Sequence, residues 1–284
     1  MKLRTLIFLG GLFGGMNVIK GQAFYGTTGL LHAPTAVMQK DKTVMLGGNM
    51  LDVNILSRYW VRSEYHSYTY NYYINCTLFP WLEVAYTCTL VKGIHGSSYW
   101  PQQTWGRFTN QDRSFHFRLR AWKEGWWKAW TPQVVIGAND PGSHSSNGGR
   151  DIDWGGGGSG NHNYLTRYYL AATKHVEFSG IGTVGVHVAW VIGKAMSDVH
   201  YSRPAAGINF YFGIKGEGFW QKALNGFNLM AEVCPGHAED LHTATYTVNV
   251  GGTYSIWKDH INLIAELNDG KYFIGGIFFK LHLK

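Results

Sequence analysis

Between Thr43 and Leu283 the sequence alternates apolar and polar side chains, and the alternation stops and resumes about twelve times. In Tyr70–Lys92, YNYYINCTLFPWLEVAYTCTLVK, the residues Tyr72, Ile74, Cys76 and Leu78 stand against Tyr73, Asn75 and Thr77. After Phe79-Pro80-Trp81 the pattern restarts, with Leu82, Val84, Tyr86, Cys88 and Leu90 against Glu83, Ala85, Thr87 and Thr89. Successive side chains of a strand point to opposite faces, so this is a hairpin with one apolar face. Either a second sheet or lipid must cover that face.

Similar segments follow at Ser114–Trp122, Pro132–Asn139, Tyr164–Phe178, Thr183–Lys194, Ala206–Lys215, Phe227–Cys234, Thr245–Ile256, Ile261–Asn268 and Tyr272–Leu283. Thr43–Val53 opens the series. Many run roughly 9–12 residues, the length of a tilted membrane-spanning strand. The connections fall into two alternating classes. Phe79–Trp81, Lys123–Trp130, Ser179–Gly182, Gly216–Gly226 and Lys258–His260 are compact. Leu56–Tyr68, Gly93–Arg113, Asp140–His162, Met196–Pro204 and Pro235–His242 are often longer, with a tight final member at Asp269-Gly270. Short periplasmic turns and long external loops alternate in this way in outer-membrane barrels.

Composition suits a sheet with one face in lipid and equally a glycine-rich soluble β protein, so by itself it leaves the choice open. Charged residues make up 15% of the 284, against roughly a quarter in soluble domains, and there are 37 glycines and an aromatic content of 15%. Trp81, Trp126, Trp127, Trp130, Trp220 and Trp257 sit near the compact turns, where an interfacial girdle belongs. The net charge of +7 is scattered rather than gathered into a run, which gives no footprint for nucleic acid. Residues 43–284 are therefore predicted to form an all-β fold, a transmembrane antiparallel up-and-down β-barrel of about twelve strands in the bacterial outer membrane. Closure removes sheet edges, which cannot stay unpaired in hydrocarbon.

The start of the chain reads as a secretory signal peptide over residues 1–23. Lys2 and Arg4 precede an apolar stretch, Leu6–Val18, and small residues stand at Gly21 and Ala23, so the mature chain is expected to begin near Phe24. No cysteine lies near the start, which argues against a lipoprotein anchor. Residues 24–42 form a short segment before the barrel, periplasmic or lumenal, and Pro34 makes it a poor central strand. Cys76 should face Val84 and Cys88 should face Tyr72, too far apart along the strands for a disulfide.

Three segments resemble the YjbH family of bacterial outer-membrane proteins, associated with exopolysaccharide biosynthesis: Gly29–Ala36 (GLLHAPTA); Asp112–Gly125 (DRSFHFRLRAWKEG) running into Thr131–Asp140 (TPQVVIGAND); and part of Tyr169–Lys174 (YLAATK). The resemblance implies a β-barrel and a link to surface polysaccharide. It implies no catalytic residue.

The polar parity of the strands should face the lumen. It carries Glu83, Arg118, Arg120, Arg167, Glu177, Lys215, Glu232, Glu266 and Lys280. These charges fit either a polar conduit or, the preferred reading, inward ion pairs that fill a narrow barrel. Gly180–Gly185 matches G-x-G-x-x-G but leads into a strand pattern, so no helix N-terminus awaits a pyrophosphate. His95-Gly96-Ser97 and His144-Ser145-Ser146 lie in loops without a third orienting group, and no G-x-S-x-G exists. Asp151, Asp153 and Asn161 match no calcium loop, and the histidines show no metal-ligand spacing. Trp154 and Tyr99-Trp100 are candidates for stacking on sugars or anchoring a protein.

The expectation is thus a non-enzymatic barrel, without cofactor or metal, that serves exopolysaccharide assembly or export. The alternative is a closed-lumen structural or interaction subunit of a larger outer-membrane complex; a barrel enzyme acting on lipid ranks third. The partners implied are outer-membrane lipid, a polysaccharide, and other outer-membrane or periplasmic proteins.

Overall fold

The computed structural model describes residues 25–52, 68–93, 95–96, 101–141, 166–194, 200–235 and 246–283. Residues 1–24 and most of the longer loops, including 142–165, lie outside them, and with them the expected signal peptide, His144, Trp154 and the Asp151–Asn161 cluster.

Twelve strands close into one barrel: β1 (Thr43–Asp52), β2 (Tyr68–Phe79), β3 (Leu82–Lys92), β4 (Phe108–Trp122), β5 (Gln133–Asn139), β6 (Arg167–Phe178), β7 (Gly182–Lys194), β8 (His200–Phe212), β9 (Phe227–Pro235), β10 (Tyr246–Trp257), β11 (Ile261–Asn268) and β12 (Tyr272–His282). Each pairs antiparallel with its sequence neighbours, and β1 closes on β12 from Thr43↔His282 to Leu51↔Ile274. Thus the expected closed twelve-stranded β-barrel is the observed fold. No helix among the described residues is long and apolar enough to cross a membrane.

Alternation sorts the two faces. Along β2, Thr69, Asn71, Tyr73, Asn75 and Thr77 are buried inside, while Tyr70, Tyr72, Ile74 and Leu78 are exposed outside. The same holds for Val186, Val188 and Trp190 against His187 and Ala189 on β7. The outer wall is therefore a continuous apolar band, far larger than the patches of a few hundred Å² tolerated on soluble monomers. Cys76 does pair with Val84 and Cys88 with Tyr72, and both cysteines are free thiols.

Turn chemistry sets two tight hairpins, one at the compact end (Lys258-Asp259) and one at the loop end (Asp269-Gly270). Lys258-Asp259 and Asp269-Gly270 each place two consecutive residues at positive φ, the type I′ geometry whose twist matches the flanking strands. Trp81, Trp126, Trp127, Trp130, Trp220 and Trp257 are all at least half exposed at the compact-turn end.

Several boundaries differ from expectation, most of all in β4 and β8. β4 begins earlier, at Phe108. β8 starts at His200 and runs through Pro204. Its ladder to β9 spans Ala206↔Val233 to Tyr211↔Asn228. Continued outward, that register sets Pro204 opposite Pro235, and neither has an N–H to give, so the ladder stops. β8 also ends early, at Phe212, because the Asn225 side chain bonds both backbone groups of Ile214, at 2.9 Å each. Between β8 and β9 a short helix, α1 (Phe219–Asn225), forms where only a turn was expected.

Candidate functional site: a lumen occupied by the chain's own segment

The barrel interior holds residues 25–39. Leu31 and Ala36 have no exposed surface, and Tyr25, Leu30, Ala33 and Met38 are buried. The segment re-emerges at Lys40 and turns at Lys42, with φ of 55°, into β1. The sequence left periplasmic and lumenal placements open, and the chain takes the lumenal one.

An irregular segment inside a barrel needs partners for its backbone, since each unpaired buried N–H or C=O costs about 1–3 kcal/mol. The wall supplies them chiefly through four charged side chains. Glu232 on β9 accepts the N–H groups of Leu31 (3.0 Å), His32 (2.7 Å) and Ala33 (2.9 Å). Glu83 on β3 accepts the Thr28 N–H at 2.6 Å. Arg118 on β4 donates Nη2 to the carbonyls of Thr35 (2.6 Å) and Val37 (2.8 Å). Arg167 on β6 donates Nη2 to the His32 carbonyl at 2.8 Å, and its guanidinium lies 3.7 Å from the centre of the Tyr25 ring. Carboxylates thus meet N–H groups and guanidinium groups meet carbonyls, the charge-assisted pairings of greatest strength.

Neutral wall residues complete the set. Asn75 donates to the Gly26 carbonyl (3.0 Å) and Thr87 to the Tyr25 carbonyl (2.9 Å). Thr173 accepts the Ala36 N–H at 2.9 Å, and Gln133 donates to the Ala36 carbonyl. Side chains of the segment join in: His32 Nε2 lies 2.6 Å from Glu266 Oε1 on β11, and Gln39 donates Nε2 to Asn75 Oδ1 at 3.3 Å. Pro34 needs no N–H acceptor, which suits the tight passage between Ala33 and Thr35. A Cβ at Gly207 would crowd Leu30 Cδ1 and lie 2.9 Å from the Ala231 carbonyl oxygen, so a larger residue there would shift the segment's Leu30.

The wall charges are also tied to one another. Arg118 Nη1 donates to Glu83 Oε2 at 2.9 Å. Arg167 Nε donates to Asn139 Oδ1 (2.8 Å), Asn249 donates to Glu232 (2.8 Å), and Lys280 donates to Asp259 (2.8 Å). Of the nine residues assigned to the lumen from sequence, Glu83, Arg118, Arg167, Glu232, Glu266 and Lys280 are buried inside. Arg120 is half-buried near the compact end, where it interacts with the charge of Asp41. Glu177, near the same end of β6, is exposed. Lys215 is a correction: it lies beyond β8, exposed in the connection to α1, because Asn225 has withdrawn Ile214 from the ladder.

Sequence reasoning found the charges and missed what they hold. Asn75, Thr87, Gln133 and Thr173 were visible only as inward-parity polar residues, and His32 only as part of GLLHAPTA. The loop histidine His95 packs its ring against Trp105, with centroids 5.1 Å apart.

Residues 21–145 match the family model YjbH, described as "Exopolysaccharide biosynthesis protein YbjH". Over 121 residues the chain is 32% identical to the "Uncharacterized lipoprotein YjbH" of Escherichia coli (strain K12), a match covering 43% of this chain and 14% of that protein. The YjbH-type resemblance read from the sequence is thereby borne out over this part of the chain. The matched residues include the lumenal segment, Glu83, Arg118 and Gln133; Arg167, Glu232 and Glu266 lie beyond them.

Proposed function

We propose that this YjbH-type barrel serves exopolysaccharide biosynthesis as a non-enzymatic outer-membrane subunit whose lumen is closed. The observation that carries the reading is the seating of residues 25–39, held at backbone level by Glu83, Arg118, Arg167 and Glu232. A conduit for a polar polymer needs a hydrated path, and these charges are spent on the chain's own peptide groups. The apolar outer band supports insertion in lipid, with strands supplying the span and the closed ladder leaving no edge. The family description supports the exopolysaccharide link, and the relative's description as a lipoprotein supports a membrane location. The role is that of a structural or interaction partner within an outer-membrane assembly.

Planar-bilayer recording on the purified full chain, paired with exopolysaccharide measurement in a deletion strain, tests this. The expected result is no steady current from the native protein and loss of exopolysaccharide without it. A large steady current from the native protein overturns the closed-lumen reading, and unchanged exopolysaccharide overturns the assigned process.

A further inference from the structure

Among the described residues the outward face of the barrel carries few charges. Among outward-facing strand positions whose side chains are described, the charged residues are Lys92, Arg113 and Lys174. Lys174 is accounted for, since the connection before β5 folds over it and Glu124 receives its ammonium at 2.8 Å. Lys92 and Arg113 have no carboxylate partner among the described residues. Both lie on one face, toward the loop end of β3 and β4, in register with Phe108 and Cys88 respectively.

Their surroundings are built for a cation that stays at a lipid boundary. Lys92 Nζ sits over two outward rings, 5.2 Å from the Tyr70 centroid and 4.8 Å from that of Phe108. Arg113 is exposed, gives one N–H to Gln111 at 3.3 Å, and lies in register with Cys88 of β3, which in turn pairs with Tyr72 of β2. Arginine has five N–H donors in a planar fork, so most remain free for an oxyanion. The residue pair spans four positions of β3, roughly 13 Å at strand rise. Among the described residues, these two cations without a carboxylate partner stand on a mostly apolar wall, an arrangement that suits an anion at the lipid boundary.

We propose that the outward face of β2–β4 near the loop end binds the headgroup of an anionic phospholipid, one whose phosphate charge is not cancelled by a cation of the same headgroup. The commitment to lipid rests on the membrane reading above and on the neighbours: apolar and aromatic side chains flank both cations, which suits an acyl chain below and a phosphate at the cations. Arg113 supplies the fork for phosphate oxygens, and Lys92 a second point charge held by Tyr70 and Phe108.

Native mass spectrometry of the full chain in mild detergent, titrated with phosphatidylglycerol or phosphatidylcholine, tests the site. Parallel arms use inorganic phosphate and the variants Lys92→Gln, Arg113→Gln, both together, and Lys215→Gln as a distant control. Insertion into phosphatidylcholine vesicles is scored separately by flotation. The native chain should retain phosphatidylglycerol preferentially, each variant should weaken that preference roughly fivefold, and the double variant should abolish most of it while the control does not. A double variant with native preference overturns the site although insertion stands. Competition by millimolar inorganic phosphate assigns the cations to a free anion and overturns the lipid commitment. Failure to insert into phosphatidylcholine vesicles removes the membrane reading, and this proposal with it.

Discussion

Arg118 donates to Glu83 at 2.9 Å with neither side chain exposed, and each holds the lumenal segment with its remaining capacity. This makes the pair asymmetric under mutation. Arg118→Ala strands a buried carboxylate and frees two carbonyls, those of Thr35 and Val37. It should cost about 3–5 kcal/mol, the range for breaking one partner of a buried pair. The joint change Arg118→Met with Glu83→Gln removes both charges and should cost less than Arg118→Ala alone. Denaturant unfolding followed by tryptophan fluorescence in detergent gives the ranking; a double variant weaker than the single would contradict it.

Glu232 is the densest anchor of the segment, because one carboxylate receives three consecutive N–H groups. Glu232→Leu leaves those donors without their acceptor and should loosen the segment while the wall persists. The expected outcome is intermittent ionic current in a planar bilayer from a chain that still resists unfolding in mild detergent. Glu177→Gln, at an exposed site, should stay silent. Silence from both variants would show that Glu232 does not hold the lumen shut.

The barrel was legible because its signal is local. Alternation within each strand, such as Val184 to Ile192, records which face is apolar, and strand length and turn residues record the rest. The pairing of Glu83 with Arg118 follows once β3 and β4 are in register. The sequence left a lumenal placement of residues 24–42 open, but the contacts that hold the segment there were not legible, because they join residues far apart through the backbone. Glu232 meets Ala33 across 199 positions, and an N–H carries no side-chain signature. The helix α1 was hidden for another reason: FWQKALN is too short to show a helical period against its flanking glycines. Lys215 was misassigned because alternation continues past the strand into Ile214, where Asn225 competes for the backbone.

The turn between β4 and β5 should be sensitive to acid. Burial alone would raise the Glu124 carboxyl, but hydrogen bonds from His175 and Lys174 outweigh it and hold the group at about 2, below its ordinary 4.5. A depressed carboxylate contributes stability that is fully present above its ordinary value and is lost as pH falls through the folded one. Between about 4.5 and about 2 the turn should therefore loosen from β6. Trp126, Trp127 and Trp130 lie in this connection and report the change through fluorescence. Glu124→Gln should remove the acid-dependent step; a native-like titration from that variant would point to another group.

Neighbouring residues on β7 separate the two faces. Val188 is 53% exposed on the outer band, and Val188→Arg should cost about 2–4 kcal/mol at mid-bilayer depth under the proposed membrane reading. An empty, wet lumen would make His187→Arg mild, but the interior is packed. His187 is 2% exposed, shares a hydrogen bond with Thr173 at 2.9 Å and another with Asn209 at 2.6 Å, and Thr173 in turn holds Ala36 of the segment. His187→Arg must therefore displace the segment or strand these partners, a cost of about 1–3 kcal/mol for each polar group left unpaired. The two variants should fail differently. Val188→Arg should reduce the yield of membrane-inserted barrel, whereas His187→Arg should insert and then show current or lowered resistance to denaturant. Equal insertion by both, with native resistance, would contradict the sidedness and the closed lumen together.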